Sequence, residues 1–130
     1  IFRVHKIFKM INSKKNIIQI KSYLFSLEIV KLAYYLREEK REFILSKQLI
    51  RAGTSIGANI EEAIGGQSRK DFISKLSIAY KEVRETNYWI RMLNDLHLIP
   101  EKKFLDISYL LDEVRMILVK ILKTSKLNKN

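Results

Sequence analysis

The chain has 130 residues, of which 47% are apolar, so it is long enough for one domain with a hydrophobic core. It contains no cysteine, which excludes disulfides and thiolate chemistry and favours a reducing, cytoplasmic setting. No uninterrupted apolar run approaches the roughly 18 residues that a membrane-spanning helix needs, and the first residues lack the pattern of a signal peptide.

The formal net charge of +11 is confined to the two ends of the chain. Residues 1–21 and 115–130 contain basic side chains and no acidic ones, whereas the charges of residues 22–114 sum to zero. Basic ends on a neutral body attract phosphate-rich partners, although ends that only aid solubility have the same composition. We therefore divide the chain into a basic leader (1–15), a helical body (16–123) and a basic tail (124–130). Met10 resembles a natural start, so residues 1–9 are either native or a non-native addition.

The first predicted helix runs from Ile17 to about Glu38. Its apolar residues form two stripes, Tyr23, Leu27, Val30 and Tyr34 on one side and Phe25, Ile29, Leu32 and Leu36 on the other. An apolar face this wide exceeds what one bundle core needs, so we expect the helix to contact more than one neighbour. The charged residues 38–42 are expected to form the first turn.

The second predicted helix runs from about Phe43 to Ile64 and stops at Gly65 and Gly66. Its apolar residues recur at steps of three and four: Leu45, Leu49, Ala52, Ile56, Ile60 and Ala63. The small residues Gly53, Ser55, Gly57 and Ala58 lie among them. A glycine inside a helix costs about 1 kcal/mol relative to alanine, so the segment predicts a seam of close helix packing. A polar row lies beside this seam: Gln48, Arg51, Ser55, Asn59 and Glu62.

Two further helices follow. Ser68 and Asp71 have the spacing of a capping box at the start of a third helix, which continues to about Leu96. Pro100 opens a fourth helix, and fraying is expected from Thr124. The expected core residues are Phe72, Leu76, Ala79, Val83, Ile90 and Leu93 on the third helix and Phe104, Ile107, Leu111, Val114, Leu118 and Ile121 on the fourth. Four helices with short turns predict an all-α, antiparallel up-down four-helix bundle.

Apolar residues also lie off these core stripes on the third and fourth helices. They are Ile73, Ile78, Tyr80, Trp89, Leu110, Met116, Ile117 and Val119. Trp89 is assigned to packing, because large aromatic side chains dominate core and interface burial. Together with the second stripe of the first helix, this surplus predicts self-association.

The segment from Leu45 to Leu93 carries a family resemblance. It reads LSKQLIRAGTSIGANIEEAIGGQSRKDFISKLSIAYKEVRETNYWIRML and resembles the 23S rRNA intervening-sequence proteins, a resemblance that covers roughly residues 16–123. It implies an up-down four-helix bundle that assembles as a homopentamer. Some members are encoded within insertions in large-subunit rRNA genes. A related bundle, the accessory protein of diversity-generating retroelements, works beside a reverse transcriptase and binds nucleic acid.

Motifs for catalysis are absent from the sequence. There is no P-loop and no nucleophile elbow, and neither His5 nor His97 has a glutamate three residues before it, as a di-iron bundle requires. The paired acids, Glu61 with Glu62 and Glu82 with Glu85, are interpreted as partners in surface salt bridges. We therefore expect no enzyme activity, no cofactor and no metal.

A basic stripe on the third helix has a second interpretation. Lys81, Arg84, Tyr88 and Arg91 are spaced by three, four and three residues, and cations beside an aromatic ring can hold phosphate and stack a base. Alternatively, Tyr88 packs with Trp89 at a seam, and the arginines pair with acids such as Glu85 and Asp95.

The sequence therefore predicts a non-enzymatic homo-oligomer that binds structured RNA mainly through phosphate contacts. The candidate RNA-binding residues are Lys14, Lys15, Lys21, Lys81, Arg84, Arg91, Lys120, Lys123, Lys126 and Lys129. The alternative is a protein-interaction scaffold, or an accessory subunit of a nucleic-acid enzyme such as a reverse transcriptase, that uses the polar row of the second helix. A third interpretation is peripheral membrane attachment through residues 116–123, whose periodicity also fits a bundle core.

Overall fold

The computed structural model describes residues 14–127, and the side chains of residues 17–126. It contains four helices, α1 (Lys14–Glu39), α2 (Leu45–Ile64), α3 (Arg69–Asp95) and α4 (Glu101–Leu127), and no strand within the described range. The four predicted helices are confirmed. Fraying was expected from Thr124, but α4 remains helical to Leu127. This stretch has no glycine or proline, and the positive charge of Lys126 in the last turn interacts favourably with the negative end of the helix dipole.

Each helix packs against the next one in the chain, and α4 packs against α1. Two ion pairs join α1 to α4: Lys21 lies 3.2 Å from Glu113, and Lys103 lies 3.6 Å from Glu28. Residues later in α1 therefore lie beside residues earlier in α4. The beginning of α1 consequently lies beside the later turns of α4.

The core lies between the four helices and uses the predicted stripes. Its buried members include Phe25, Ile29, Leu32, Leu36, Leu49, Ala52, Ile56, Ile60, Ala63, Leu76, Ala79, Val83, Ile90, Leu93, Ile107, Leu111, Val114 and Leu118. Leu45, Phe72, Phe104 and Ile121 were predicted in the core but are only half-buried, and Leu122 rather than Ile121 is buried near the end of α4. Thr86 is a buried polar residue that the apolar periodicity did not indicate. Its hydroxyl donates to the carbonyl of Glu82 at 2.7 Å, which satisfies the group within the helix.

The two stripes of α1 have different environments. Phe25 and Ile29 are buried in the core, whereas Tyr23, Leu27 and Tyr34 of the other stripe are exposed in the single chain. On α4, Leu105, Tyr109 and Met116 are exposed as well. The chain thus carries large apolar side chains on two outward helix faces, which are here called the α1 stripe and the α4 stripe.

The predicted seam of close packing lies between α2 and α1. A Cβ atom on Gly53 would lie 2.7 Å from Cγ2 of Ile29, and one on Gly57 would lie 3.3 Å from the carbonyl oxygen of Ser22. Real Cβ contacts do not reach the first distance, so Gly53 is required for this approach. The interior glycine allows the backbone of α2 to lie directly against a buried isoleucine of α1.

Glu42 caps α2, a role that the sequence did not reveal. Its carboxylate accepts hydrogen bonds from the backbone N–H groups of Ile44, Leu45 and Ser46 at 3.2, 2.9 and 2.7 Å. These donors have no partner within the first turn of a helix, so the carboxylate replaces water there. The predicted cap of α3 is confirmed, because the Ser68 hydroxyl accepts from the Asp71 N–H at 3.1 Å.

The helix stop at the end of α2 occurs where it was predicted but for a different reason. No described glycine has a positive φ, and Gly65 has φ −83°. A Cβ atom on Gly66 would instead lie 2.7 Å from Oδ2 of Asp71, so glycine provides room for the capping region of α3. Left-handed residues follow α1 and α3 instead: Arg41 has φ 52° and His97 has φ 57°. The N–H of Glu42 donates across the first to the carbonyl of Leu36, and the N–H of Leu98 donates across the second to the carbonyl of Leu93.

Candidate nucleic-acid interface

The beginning of α1 and the last turns of α4 lie at the same end of the bundle. An open cavity of about 930 Å³ is lined there by residues of α1, of the α2–α3 connection and of α4. Its lining residues are Ile17, Ala63, Ile64, Gly66, Gln67, Ser68, Arg69, Phe72, Ile117, Lys120, Ile121, Thr124 and Ser125. This region, with Lys123 and Lys126 on the adjoining turns of α4, is here called the basic end. Its cavity has an apolar lining with Arg69 and Lys120 among the polar residues.

The candidate lysines of α4 are available at the basic end. Lys120, Lys123 and Lys126 are exposed, and none forms an ion pair within the described part of the chain. Lys21 differs, because it is half-buried and its ammonium group contacts Glu113 at 3.2 Å. A phosphate would therefore compete with a carboxylate for Lys21 but not for the three lysines of α4.

Three further candidates fall partly or wholly outside the described residues. Lys14 and Lys15 belong to the first turn of α1, but their side chains are outside the described set, as is the whole of Lys129. They stay predictions.

The candidate stripe on α3 is exposed. Lys81, Arg84 and Arg91 are solvent-accessible, and Tyr88 is 49% exposed. None of the three cations forms an ion pair with another described residue. The alternative in which Arg84 and Arg91 pair with nearby acids is therefore wrong for the described side chains.

Two acids of α3, Glu82 and Glu85, face α2 instead. The Glu85 carboxylate accepts hydrogen bonds from the Arg51 guanidinium and, at 3.0 Å, from the indole N–H of Trp89. Arg51 also lies 3.7 Å from Glu82, whose carboxylate is mostly buried. Arg51 is 34 positions from Glu85 in the chain, so the spacing of residues along α3 did not reveal this ion pair. The network neutralises acids at the α2–α3 contact and keeps them away from the basic stripe.

Tyr88 and Trp89 have different surroundings. Trp89 is half-buried against the core, which confirms its packing role. The two rings meet edge to face, with centroids 5.1 Å apart and planes at 73°. Tyr88 therefore contacts Trp89 on one side and leaves about half of its surface to solvent.

The polar row of α2 is largely engaged within the chain. Ser55 donates to the carbonyl of Arg51 at 2.6 Å, Asn59 donates to that of Ser55 at 2.8 Å, and Glu62 lies 3.6 Å from Lys75 of α3. These contacts satisfy polar groups of the row within the chain, whereas the side chains of Arg51 and Glu62 remain exposed.

Other kinds of site find no support in residues 14–127. Within this range, no group of three or more histidine and acidic side chains could hold a metal ion, and none of the four helices combines the length and the apolar character required to cross a membrane. In the segment considered for membrane attachment, Leu118 and Leu122 are buried in the core.

The helices and the exposed cations together define a small four-helix protein with a basic candidate interface. The family described as 23S rRNA-intervening sequence protein matches residues 14–120, and the chain belongs to this family. The predicted family and the four-helix fold are thereby confirmed.

A solved structure is similar over nearly its whole length. It is a protein of unknown function from the S23 ribosomal protein family of Bacteroides thetaiotaomicron VPI-5482, whose crystal structure was determined at 1.70 Å. The two sequences are 44% identical, the match covers 85% of this chain and 99% of the other, and the TM-score is 0.84. No curated protein matches the chain.

Proposed function

We propose that this chain is a non-enzymatic cytoplasmic protein that binds structured RNA through the basic end. The observation that carries the proposal is that the beginning of α1 and the last turns of α4 meet at one end of the bundle. Lys120, Lys123 and Lys126 on α4 are exposed there, and Ile17 of α1 and Arg69 of α3 line the same cavity as Lys120. The family name concerns an intervening sequence of 23S rRNA, which agrees with an RNA partner.

The chemistry of this surface favours backbone contacts. Lysine ammonium groups contact phosphates as point charges, and each phosphate that they neutralise releases condensed counterions. Phosphate contacts position a protein on nucleic acid but carry no direct information about the base sequence. We therefore expect affinity to depend strongly on salt and weakly on sequence, with the shape of a folded RNA deciding where the protein binds.

Self-association completes the proposal. The exposed α1 and α4 stripes supply apolar surface for contacts between subunits, and the opposite numbering of the α1–α4 ion pairs supports an antiparallel bundle as the subunit. We propose a homopentamer, the number that the family resemblance implies. Several basic ends on one particle would convert weak single contacts into useful avidity.

The decisive experiment compares two triple variants. In the first, Lys120, Lys123 and Lys126 are replaced by Gln; in the second, the exposed lysines Lys40, Lys47 and Lys102, away from the basic end, are replaced by Gln. Affinity for a structured rRNA fragment is measured against salt concentration. The first variant should lose about tenfold or more at physiological salt, and its log–log salt slope should fall by about 0.9 for each phosphate contact removed.

The second variant is the control, because it loses the same net charge as the first. Comparing the two therefore separates binding at the basic end from general electrostatic attraction to RNA. The control should keep most of the affinity and slope, and both variants should keep their helical circular dichroism. Wild-type affinity and slope in the first variant, or equal losses in both, would refute the basic end as the RNA-binding surface.

A protein partner is the second candidate, which the exposed α1 and α4 stripes favour. In this version the chain is an accessory subunit of a nucleic-acid enzyme such as a reverse transcriptase, and the basic end contributes only weakly. RNA binding confined to low salt, with a complex between the purified chain and such an enzyme that Leu27→Glu disrupts, would favour this version over direct RNA binding.

A further inference from the structure

We propose that the outward face of α3 is a binding site for unpaired RNA, where Arg84 and Arg91 contact phosphates and Tyr88 stacks against a base. The inference rests on the proposed function and extends it, because it assigns an RNA class to a surface distinct from the basic end. Lys81 lies on the same face and provides a further phosphate contact.

The residues of this site follow one line along the helix. Lys70, Ser74, Ser77, Lys81, Arg84, Tyr88 and Arg91 are separated by alternating steps of four and three residues. Such spacing keeps side chains on one face, and the buried residues of α3, such as Val83 and Ile90, belong to the opposite face. At a rise of about 1.5 Å per residue, the line is about 31 Å long. It contains four cations and no acid over this length.

Two of the acids beside this line are engaged in contacts with other residues of the chain. Glu85 is held by Arg51 and Trp89, and Glu82 faces Arg51, so both carboxylates belong to the α2–α3 contact. Asp95 continues the line four residues after Arg91 and forms no ion pair with a described residue, so the line extended to Asp95 carries four cations and one acid. The field over the stripe is therefore cationic, and it complements a phosphate backbone.

Tyr88 distinguishes unpaired RNA from a duplex. Along this face of the helix, Tyr88 follows Arg84 by four residues and precedes Arg91 by three, and about half of its surface is open to solvent. The edge-to-face contact with Trp89, which Glu85 holds through the indole N–H, supports the ring from one side. An exposed aromatic ring between cations can stack an unpaired base, whereas the bases of a duplex are already stacked on one another.

Trp89 provides a direct readout, because it is the only tryptophan in the chain. A single-stranded RNA of about 12 nucleotides, within the usual site sizes for such strands, and the blunt duplex of this strand with its complement serve as probes. Single-stranded RNA should change the emission of Trp89, since a base stacked on Tyr88 lies beside the indole. Sedimentation and circular dichroism monitor assembly and folding.

The variants test stacking and charge separately. Tyr88→Leu should weaken binding of the single strand about tenfold and leave duplex binding unchanged, whereas Tyr88→Phe should bind like wild type because it keeps the stacking surface. The double variant Arg84→Gln with Arg91→Gln should lower the salt slope for the single strand by about 0.7 for each arginine. The variant with Lys102→Gln, an exposed lysine on α4, should keep the slope.

Three results would overturn the assignment of unpaired RNA to α3. They are wild-type binding of the single strand by Tyr88→Leu, equal losses for strand and duplex, and loss of assembly in step with loss of binding, which would make Tyr88 an interface residue. If wild type binds neither probe at physiological salt, the proposed function fails as well. Wild-type binding that responds to the α4 lysines but not to the α3 variants rejects only this inference.

Discussion

Among single residues, Glu42 has a structural role that its place in the sequence did not indicate. The charged run 38–42 predicted a turn, and the turn is present between α1 and α2. The run did not indicate which of its acids performs a structural task, because several acids occur within five positions. Of these acids, only Glu42 has its carboxylate at the start of α2, where it accepts three backbone hydrogen bonds. A negative charge at this end also complements the helix dipole.

Replacing Glu42 by Ala should lower the free energy of unfolding by about 1–2 kcal/mol, the usual range for loss of a helix cap. The matched control is Glu39→Ala, which removes an exposed carboxylate at the end of α1. Its effect should stay within about 0.5 kcal/mol, as for most surface substitutions. Urea unfolding monitored by circular dichroism measures both, and equal stabilities for the two variants would disprove the capping role.

At the scale of elements, the contact between α1 and α2 depends on a glycine. The spacing of apolar and small residues predicted close packing of α2, and the structure identifies the neighbour as α1 and the opposing side chain as Ile29. Periodicity shows which face of a helix is buried, but it does not give the register against another helix. The helix ends were easier to predict than this register, since the Ser68 cap and the stop at Gly65 depend on residues close together in the chain.

Gly53→Ala should destabilise the protein by about 1–3 kcal/mol despite the higher helix propensity of alanine, because the new methyl group would overlap Ile29. A double-mutant cycle with Ile29→Ala provides the control. Ile29→Ala alone leaves a cavity, and the added methyl should be tolerated in that background. The double variant should therefore be more stable than the sum of the single effects allows, and additive losses in urea unfolding would exclude the clash.

At the scale of the whole molecule, the apolar surface is divided between a core and two outward stripes. The core uses one stripe from each helix, and Tyr23, Leu27 and Tyr34 of α1 and Leu105 and Tyr109 of α4 remain exposed. The wide apolar face predicted for the first helix is thus present, with only half of it buried inside the chain. Large exposed apolar faces favour association, which is the physical basis of the proposed oligomer.

Leu27→Glu should reduce the mass measured by analytical ultracentrifugation from that of the proposed pentamer of 15.4 kDa protomers to that of smaller species. The cause is the cost of placing a charge at an apolar contact, and helicity should persist because Leu27 is exposed in the single chain. Gln67→Glu adds the same charge in the exposed α2–α3 connection and should leave the mass unchanged. An unchanged mass for both variants, or a monomeric wild type, would contradict the α1 stripe as an interface.

The sequence by itself determined the helices, most of the core and the family, because helix periodicity, capping and a long matching segment are properties of neighbouring residues. It also identified the cations, but not their surroundings. Only the tertiary structure decided that Arg51 rather than Arg84 meets Glu85, that Lys21 pairs with Glu113, and that the beginning of α1 and the last turns of α4 share one end of the bundle. These contacts join residues far apart in the chain, so they depend on the rotation and register of packed helices, which no local pattern specifies.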